Sequence, residues 1–296
     1  MYDGLIAEFY RLHPHHPNRS RAIEILKRLK EKGAPIRNCA ATLDSLRSVD
    51  TYPLIEAEVV DTHPSRIQFR SVMTGEAERS SEKTKRQFLD AFRVFQSKVG
   101  HDPHDPSARA YAIWDLDLAY NGDLWKKIHI PESYGHGHIF RSYEDGDPAI
   151  SATITLAGTI SEPHIDQTGS VTLLIQLLGM KVFVVWPPTA NNFEWFSNKY
   201  GIHYGTIFEA ALQRLEVSEC IIFKQGQNEH LGPCYIHGVL SPLNSAVAGV
   251  PVVHSNLRSQ ADMTMLWERG IVTRKKGRTI VEKATVKDIK CWFARG

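Results

Sequence analysis

The segment from Ser161 to Val253 constrains the fold most. Within it, Val171-Thr-Leu-Leu-Ile-Gln-Leu-Leu-Gly-Met-Lys181-Val-Phe-Val-Val-Trp-Pro-Pro188 packs two apolar runs around one glycine. Runs of this length, rich in Val, Leu and Ile and punctuated by Gly and Pro, read as buried strands. Ser170–Leu178 and Lys181–Trp186 are the two strands, joined by a tight turn at Gly179-Met180, and Pro187-Pro188 ends the second by removing ladder donors. Ile150–Ile160 alternates as a strand before them, and Glu216–Phe223, Cys234–Leu240 and Ala246–Val253 follow. Asn191–Lys199 and Ile207–Leu215 are short helical insertions. The expected fold is mainly β, a barrel-like double sheet of jelly-roll type with surrounding α-helices.

The flanks read differently. Arg21–Lys32 sets Ala22, Ile25, Leu26 and Leu29 on one helical stripe, with Ser20 as cap and Gly33 as stop. Leu54–Val60 and Ile67–Val72 read as short strands. Glu82–Val99 is the clearest helix, with Phe88, Phe92, Phe95 and Val99 on one face. Tyr111–Asp117 and Trp125–Pro131 lead into the core. After Asn256 the apolar face of Met263, Leu266 and Trp267 signals a helix before the basic tail Arg274–Arg278. The expected division is a helical and mixed annex over 1–109, the barrel over 110–256, and a helical segment with basic tail over 257–296.

Composition excludes several classes. With 296 residues, 42% hydrophobic and 23% charged, and a formal net charge of +2, the chain has no global pull toward nucleic acid or an anionic membrane. No apolar stretch approaches a membrane span, and no secretory leader is expected at Met1. Cys39, Cys220, Cys234 and Cys291 are too scattered for a disulfide framework or a zinc pair, which fits a reducing compartment.

Three residues carry the chemistry. His164 and Asp166 are two apart, so on a strand both face one side, and His237 can join them from a neighbouring strand. Two imidazoles and one carboxylate form the facial triad that suits Fe(II) and leaves positions open for a co-substrate and dioxygen. The bland alternative is a polar His-x-Asp pair at a strand end with an unrelated histidine later. Lys181 alternates with Phe183 and Val185, so its ammonium points inward and needs an anion there. The alternative is an edge-strand charge reaching water. Ser161, three residues before His164, offers a hydroxyl. The His/Pro run Leu12–Pro17, the turn-rich Gly100–Pro106, and His136 with His138 have metal-like content, but their prolines and glycines favour exposed loops.

The segment over roughly 110–270 resembles the JmjC domain of Fe(II)- and 2-oxoglutarate-dependent oxygenases. It is most similar to the branch of histone lysine demethylases that in many members carries a PHD finger or an F-box. The matching text is His164-Ile-Asp166, Leu178-Gly-Met-Lys181-Val-Phe, Pro188-Thr-Ala-Asn, His237-Gly-Val-Leu-Ser-Pro-Leu-Asn-Ser and Val253-His-Ser-Asn256.

That resemblance implies His164, Asp166 and His237 as iron ligands, and Lys181 with Ser161 as contacts to the distal carboxylate of 2-oxoglutarate. The family has threonine where this chain has Ser161. Two departures are larger. Leu173-Leu174 stands where the branch often has Trp-Tyr, and Gly249-Val-Pro251-Val252 stands where it has Gly-Gly-Asn-Phe. The implied activity is a nuclear dioxygenase that hydroxylates N-methyl-lysine of a methylated histone tail, releasing formaldehyde. Tyr134, Asp115 and Asp117 are candidates to meet its cationic group. The alternatives are a hydroxylase of a protein side chain or small molecule with the same cofactors, and a non-catalytic chromatin-binding protein.

Overall fold

The computed structural model describes residues 1–12, 14–39, 41–42, 46, 50–71, 77–97, 111–119, 122–128, 150–166, 171–198, 206–216, 218–232 and 235–252. Seven α-helices and twelve strands fall among them. The expected C-terminal helix and basic tail, the Gly100–Pro106 turn, the Gly135–His138 turn, Tyr134, Val253–Asn256, Cys234 and Cys291 lie outside the described residues.

Two sheets make up the body. The strands are β1 (Ile36–Asn38), β2 (Ala41–Thr42), β3 (Gln68–Ser71), β4 (Tyr111–Asp117), β5 (Ser151–Thr155), β6 (Ile160–His164), β7 (Val171–Leu178), β8 (Met180–Trp186), β9 (Glu219–Lys224), β10 (Gln227–Leu231), β11 (Ile236–Leu240) and β12 (Ser245–Val252). One sheet runs β1-β9-β8-β11-β6 and the other β2-β10-β7-β12-β5-β4-β3. All pairings are antiparallel except β1 with β9. The fold is therefore sheet-rich, as expected from the apolar runs. Strands β1, β2 and β3 come from the first hundred residues and form three of the four sheet edges, with β6 as the fourth.

The short turns carry the chain from sheet to sheet. Strands β7 and β8 do not pair with each other; Gly179 between them (φ +70°) sends β8 into the opposite sheet. A Cβ there would overlap the Asn244 carbonyl oxygen, so only glycine fits this left-handed position. The expected single strand over Ile150–Ile160 is two. It breaks at Leu156–Thr159, where Gly158 (φ +86°) turns the chain out of the seven-stranded sheet. The turn at Gln225-Gly226 and the Ser241–Asn244 connection make the same crossing.

Apolar clusters fix the layers. The outer face of the seven-stranded sheet (Ile113, Leu116, Ile154, Leu173, Ile175) packs against helix α3 (Tyr52–Asp61) and helix α4 (Glu82–Ser97). Phe88 and Phe92 of α4 are fully buried and stack at 5.6 Å, each contributing about 2 kcal/mol of burial. The outer face of the five-stranded sheet (Val182, Val184, Trp186, Ile236) packs against α1 (Tyr2–Tyr10), α2 (Pro17–Glu31), α6 (Ala190–Asn198) and α7 (Ile207–Arg214). A third cluster joins Leu174, Leu231 and Val247 of one sheet to Phe183, Val185, Ile221, Phe223 and Val239 of the other. It fills the space between the sheets.

Two local expectations are corrected. Residues 54–60 are helical, because Tyr52, Ile55 and Val59 recur at helical spacing on the buried face and Pro53 sits in the first turn. Helix α2 starts at Pro17, before Ser20, with the His16 side chain accepting from the Asn18 amide at 3.2 Å. The His/Pro run is thus in part a helix cap. A short helix α5 (Asp123–Lys127) precedes the core. Among the described residues no helix is long and apolar enough to cross a membrane.

Candidate metal centre

His164 is the last residue of β6, and Asp166 lies just past its end. His237 sits on the adjacent β11, directly opposite His164 in the ladder. The three expected ligands therefore meet: His237 Nε2 lies 3.6 Å and His164 Nε2 3.9 Å from Asp166 Oδ1. Their ligating atoms all fall within 4.8 Å of one another, the only such group of His, Cys, Asp or Glu among the described residues. Two atoms each about 2.1 Å from a shared ion stand at most about 4.2 Å apart, so small side-chain movements close a coordination sphere.

Hydrogen bonding prepares the imidazoles. Nδ1 of His164 lies 2.8 Å from the Glu162 carbonyl oxygen, and Nδ1 of His237 lies 3.3 Å from that of Tyr235. A carbonyl accepts only, so each Nδ1 carries the proton and each Nε2 presents a lone pair to the centre. Thr172, which sequence reasoning missed, donates to Asp166 Oδ2 at 3.0 Å and leaves Oδ1 turned toward the histidines. A threonine on an apolar strand gave no signal before its register was known. Two imidazoles and one carboxylate so placed could hold a metal ion.

Register places the other expected residues. Between β11 and β6 the pairs His237↔His164 and Val239↔Ser161 leave Glu162 and Pro163 of β6 opposite the single residue Gly238 of β11, a bulge. Ser161 and His164, an odd number apart, thereby face the same inner side; Ser161 is buried. On β8, Val185 pairs with His237 and Phe183 with Val239, so Lys181 continues that inner face one step deeper.

Lys181 is 2% exposed on a strand flanked by β9 and β11, which rules out an edge-strand charge reaching water. Among the described residues its Nζ reaches only the Thr153 carbonyl oxygen of the other sheet, at 3.4 Å, and no carboxylate pairs with it. Burial pushes its pKa down to about 7. An ammonium in this position is short of an anion.

The wall beside the triad comes from β4. Asp115 keeps a solvent-facing edge, yet the surrounding atoms desolvate its carboxyl and raise its pKa, with the Asp166 and Asp117 charges adding to the effect. Asp115 therefore lies within electrostatic reach of Asp166. Asp117 pairs with Ser151 on the same wall. Leu174 faces the inter-sheet cluster, and Pro251, paired with Thr172 on β12, has no N–H to give the ladder. Beneath His164, Glu162 is buried between Arg21 (Nη2 to Oε1, 2.6 Å) and the Phe208 amide (2.8 Å), while Arg21 Nε also holds Glu209 at 2.7 Å. Cys39 and Cys220 are buried, the Cys39 thiol donating to the Asn228 carbonyl oxygen and Cys220 Sγ lying 3.4 Å from the Tyr2 hydroxyl. Among known protein families, no family model matches the chain.

Proposed function

We propose that this chain is an Fe(II)- and 2-oxoglutarate-dependent dioxygenase built on a double-stranded β-helix, and that its substrate is an N-methyl-lysine side chain of a histone tail in the nucleus. The alternation β5, β7, β10, β12 in one sheet with β6, β8, β9, β11 in the other, through turns that cross between sheets, supports the double-stranded β-helix. The observation that carries the chemistry is Lys181. A buried ammonium with no carboxylate partner among the described residues shares an inner face with His164 and His237, which is what a dicarboxylate chelated at one end and anchored at the other requires.

In this reading His164 Nε2, His237 Nε2 and the Asp166 carboxylate hold Fe(II). Lys181 binds the distal carboxylate of 2-oxoglutarate and Ser161 adds a hydroxyl to it. With these cofactors bound, dioxygen would be the oxidant, taking two electrons from 2-oxoglutarate, which leaves as succinate and carbon dioxide, and two from the substrate C–H bond, which becomes C–OH. The chain's own share is orientation and dryness. Phe183, Val239 and Leu174 line the inter-sheet space with apolar surface and exclude water from the Lys181 contact.

A second reading is a hydroxylase of another protein side chain or of a small molecule with the same cofactors. It is favoured by Leu174 and Pro251, which put an apolar side chain and a donor-free backbone where the resembled branch has a tyrosine and an asparagine. Incubation with Fe(II), ascorbate, 2-oxoglutarate and a panel of methyl-lysine histone peptides, read by mass, separates the readings. Loss of a methylene with formaldehyde supports demethylation, and gain of one oxygen supports stable hydroxylation. Peptide binding with no succinate formed would leave only a non-catalytic chromatin-binding role.

A further inference from the structure

We infer that Trp114, on the strand facing the metal centre, is a positioning residue that sets the plane of the His164 imidazole. This rests on the metal-centre reading above. The two histidines are held unequally. The His237 side chain is 4% exposed and that of His164 is 39% exposed. Each has one Nδ1 hydrogen bond to a carbonyl two residues earlier. Such a bond fixes a point on the ring, and contacts with the ring faces fix the plane in which its lone pair lies.

For His237 those contacts come from the packed interior, with the Phe183 ring at 6.0 Å and 27°. The half-exposed His164 ring meets His237 at 4.2 Å, tilted by 55°, and Trp114 at 6.2 Å and 23°, so the indole is the near-parallel neighbour that fixes its plane. Trp114 is itself covered by Arg70 of the neighbouring strand, whose guanidinium carbon stands 4.8 Å from the ring centroid.

The backbone is shaped to bring the indole there. Strand β4 pairs Ile113 with Ile154 and Leu116 with Ala152, so Trp114 and Asp115 together oppose the single residue Thr153. Ile113 and Leu116, three apart, both sit in the outer core. Strict alternation forbids that without an extra residue between them. The extra residue is accommodated by Asp115 at φ +50°, a conformation uncommon for a side chain with a Cβ. The bulge thus frees the strand from alternation and gives Trp114 to the histidine.

The test uses the whole chain and Co(II) as the probe metal, with the variants Trp114→Phe and Trp114→Leu. Phenylalanine keeps a flat ring; leucine fills volume without one. Trp114→Leu is expected to lose about tenfold or more in Co(II) affinity and to shift the visible d–d bands, with Trp114→Phe staying near the native protein on both. In the metal-free chain, NMR shifts of the His164 ring protons should move toward solvent-exposed values in Trp114→Leu and stay upfield in Trp114→Phe. Native affinity and native bands in Trp114→Leu would overturn the inference, as would an equal loss in both variants. Failure of the native chain to bind Co(II) would instead bring down the metal centre itself.

Discussion

Lys181 Nζ lies 3.4 Å from the carbonyl oxygen of Thr153, a contact that reaches from the five-stranded sheet to the seven-stranded one. A backbone carbonyl carries only a partial charge, and no carboxylate among the described residues pairs with the ammonium it meets. The contact holds the side chain in the inter-sheet space without neutralising it, which leaves the lysine poised for an anion.

That placement has a pH signature. The folded pKa is about 7, against an ordinary value of 10.5. Between these values the folded state binds fewer protons than the unfolded one, so stability of the cofactor-free protein from this group rises with pH across that window. Below about 7 both states are protonated and the full cost of the buried charge is present. A bound dicarboxylate restores the proton, so 2-oxoglutarate affinity should fall by about tenfold per pH unit above 7. Lys181→Met should abolish that binding and its pH dependence, while stabilising the cofactor-free chain by about 2 kcal/mol. Calorimetric titration at several pH values and thermal unfolding check both halves.

Removal of a ligand should be far costlier to metal binding than removal of its support. Asp166→Ala or His237→Ala is expected to eliminate Co(II) or Fe(II) binding at micromolar metal with the fold retained. Thr172→Val deletes only the 3.0 Å bond to Asp166 Oδ2 and should weaken affinity by about tenfold. Metal titration followed by circular dichroism of the same samples measures the contrast. Equal effects of Thr172→Val and Asp166→Ala would mean that Asp166 is not a ligand.

That His164, Asp166 and His237 come together was legible in the sequence because an apolar core does not otherwise keep such residue types, and Lys181 stood out for the same reason. What surrounds them was not. Thr172, Trp114 and Arg70 reach the site through register, bulge and cross-strand stacking, none of which leaves a mark in local composition. Strand β10, Gln-Asn-Glu-His-Leu, lacks an apolar run because it lies between the two-residue β2 and β7 near the sheet margin, and half its face is polar. Residues 54–60 read as a strand through their branched side chains. Tertiary burial of Ile55 and Val59 against Phe92 and its neighbours decided for helix. Ile150–Ile160 looked continuous because Leu156 and Ala157 are apolar, although the turn there is made by the φ of one glycine.

Gly238 tests how tightly the ligand strand is backed. A Cβ at this position would stand 2.5 Å from the Phe208 ring, which is fully buried and cannot retreat. Gly238→Ala should destabilise the chain by about 2 kcal/mol. Because Gly238 lies between His237 and Val239, metal affinity should fall with stability. Denaturant unfolding and metal titration of the variant report the two effects, and an unchanged midpoint would show that α7 yields easily.

The ion pair beneath His164 offers the sharpest separation of charge from shape. Glu162 is almost fully buried, and burial raises its pKa despite Arg21 at 2.6 Å. Its carbonyl oxygen receives His164 Nδ1, and its carboxylate receives the Phe208 amide. Arg21→Ala strips the countercharge and should cost about 3 kcal/mol, since an unpaired carboxylate remains in the interior. Adding Glu162→Gln to that variant should recover part of the loss. The amide is neutral, needs no cation, and still accepts from Phe208 through its oxygen. A raised folded pKa in an acid means that the folded state holds its proton longer than the unfolded state. Stability of Arg21→Ala should therefore fall as pH rises from the ordinary value of 4.5 through the raised one, and the double variant should lose that slope. Urea unfolding of the four members of this double-mutant cycle at pH 4.5 and pH 7 measures the coupling. If the double variant is as unstable as Arg21→Ala alone at both pH values, the lost interaction is packing of the arginine stem against α7, and the buried charge is not what Arg21 serves.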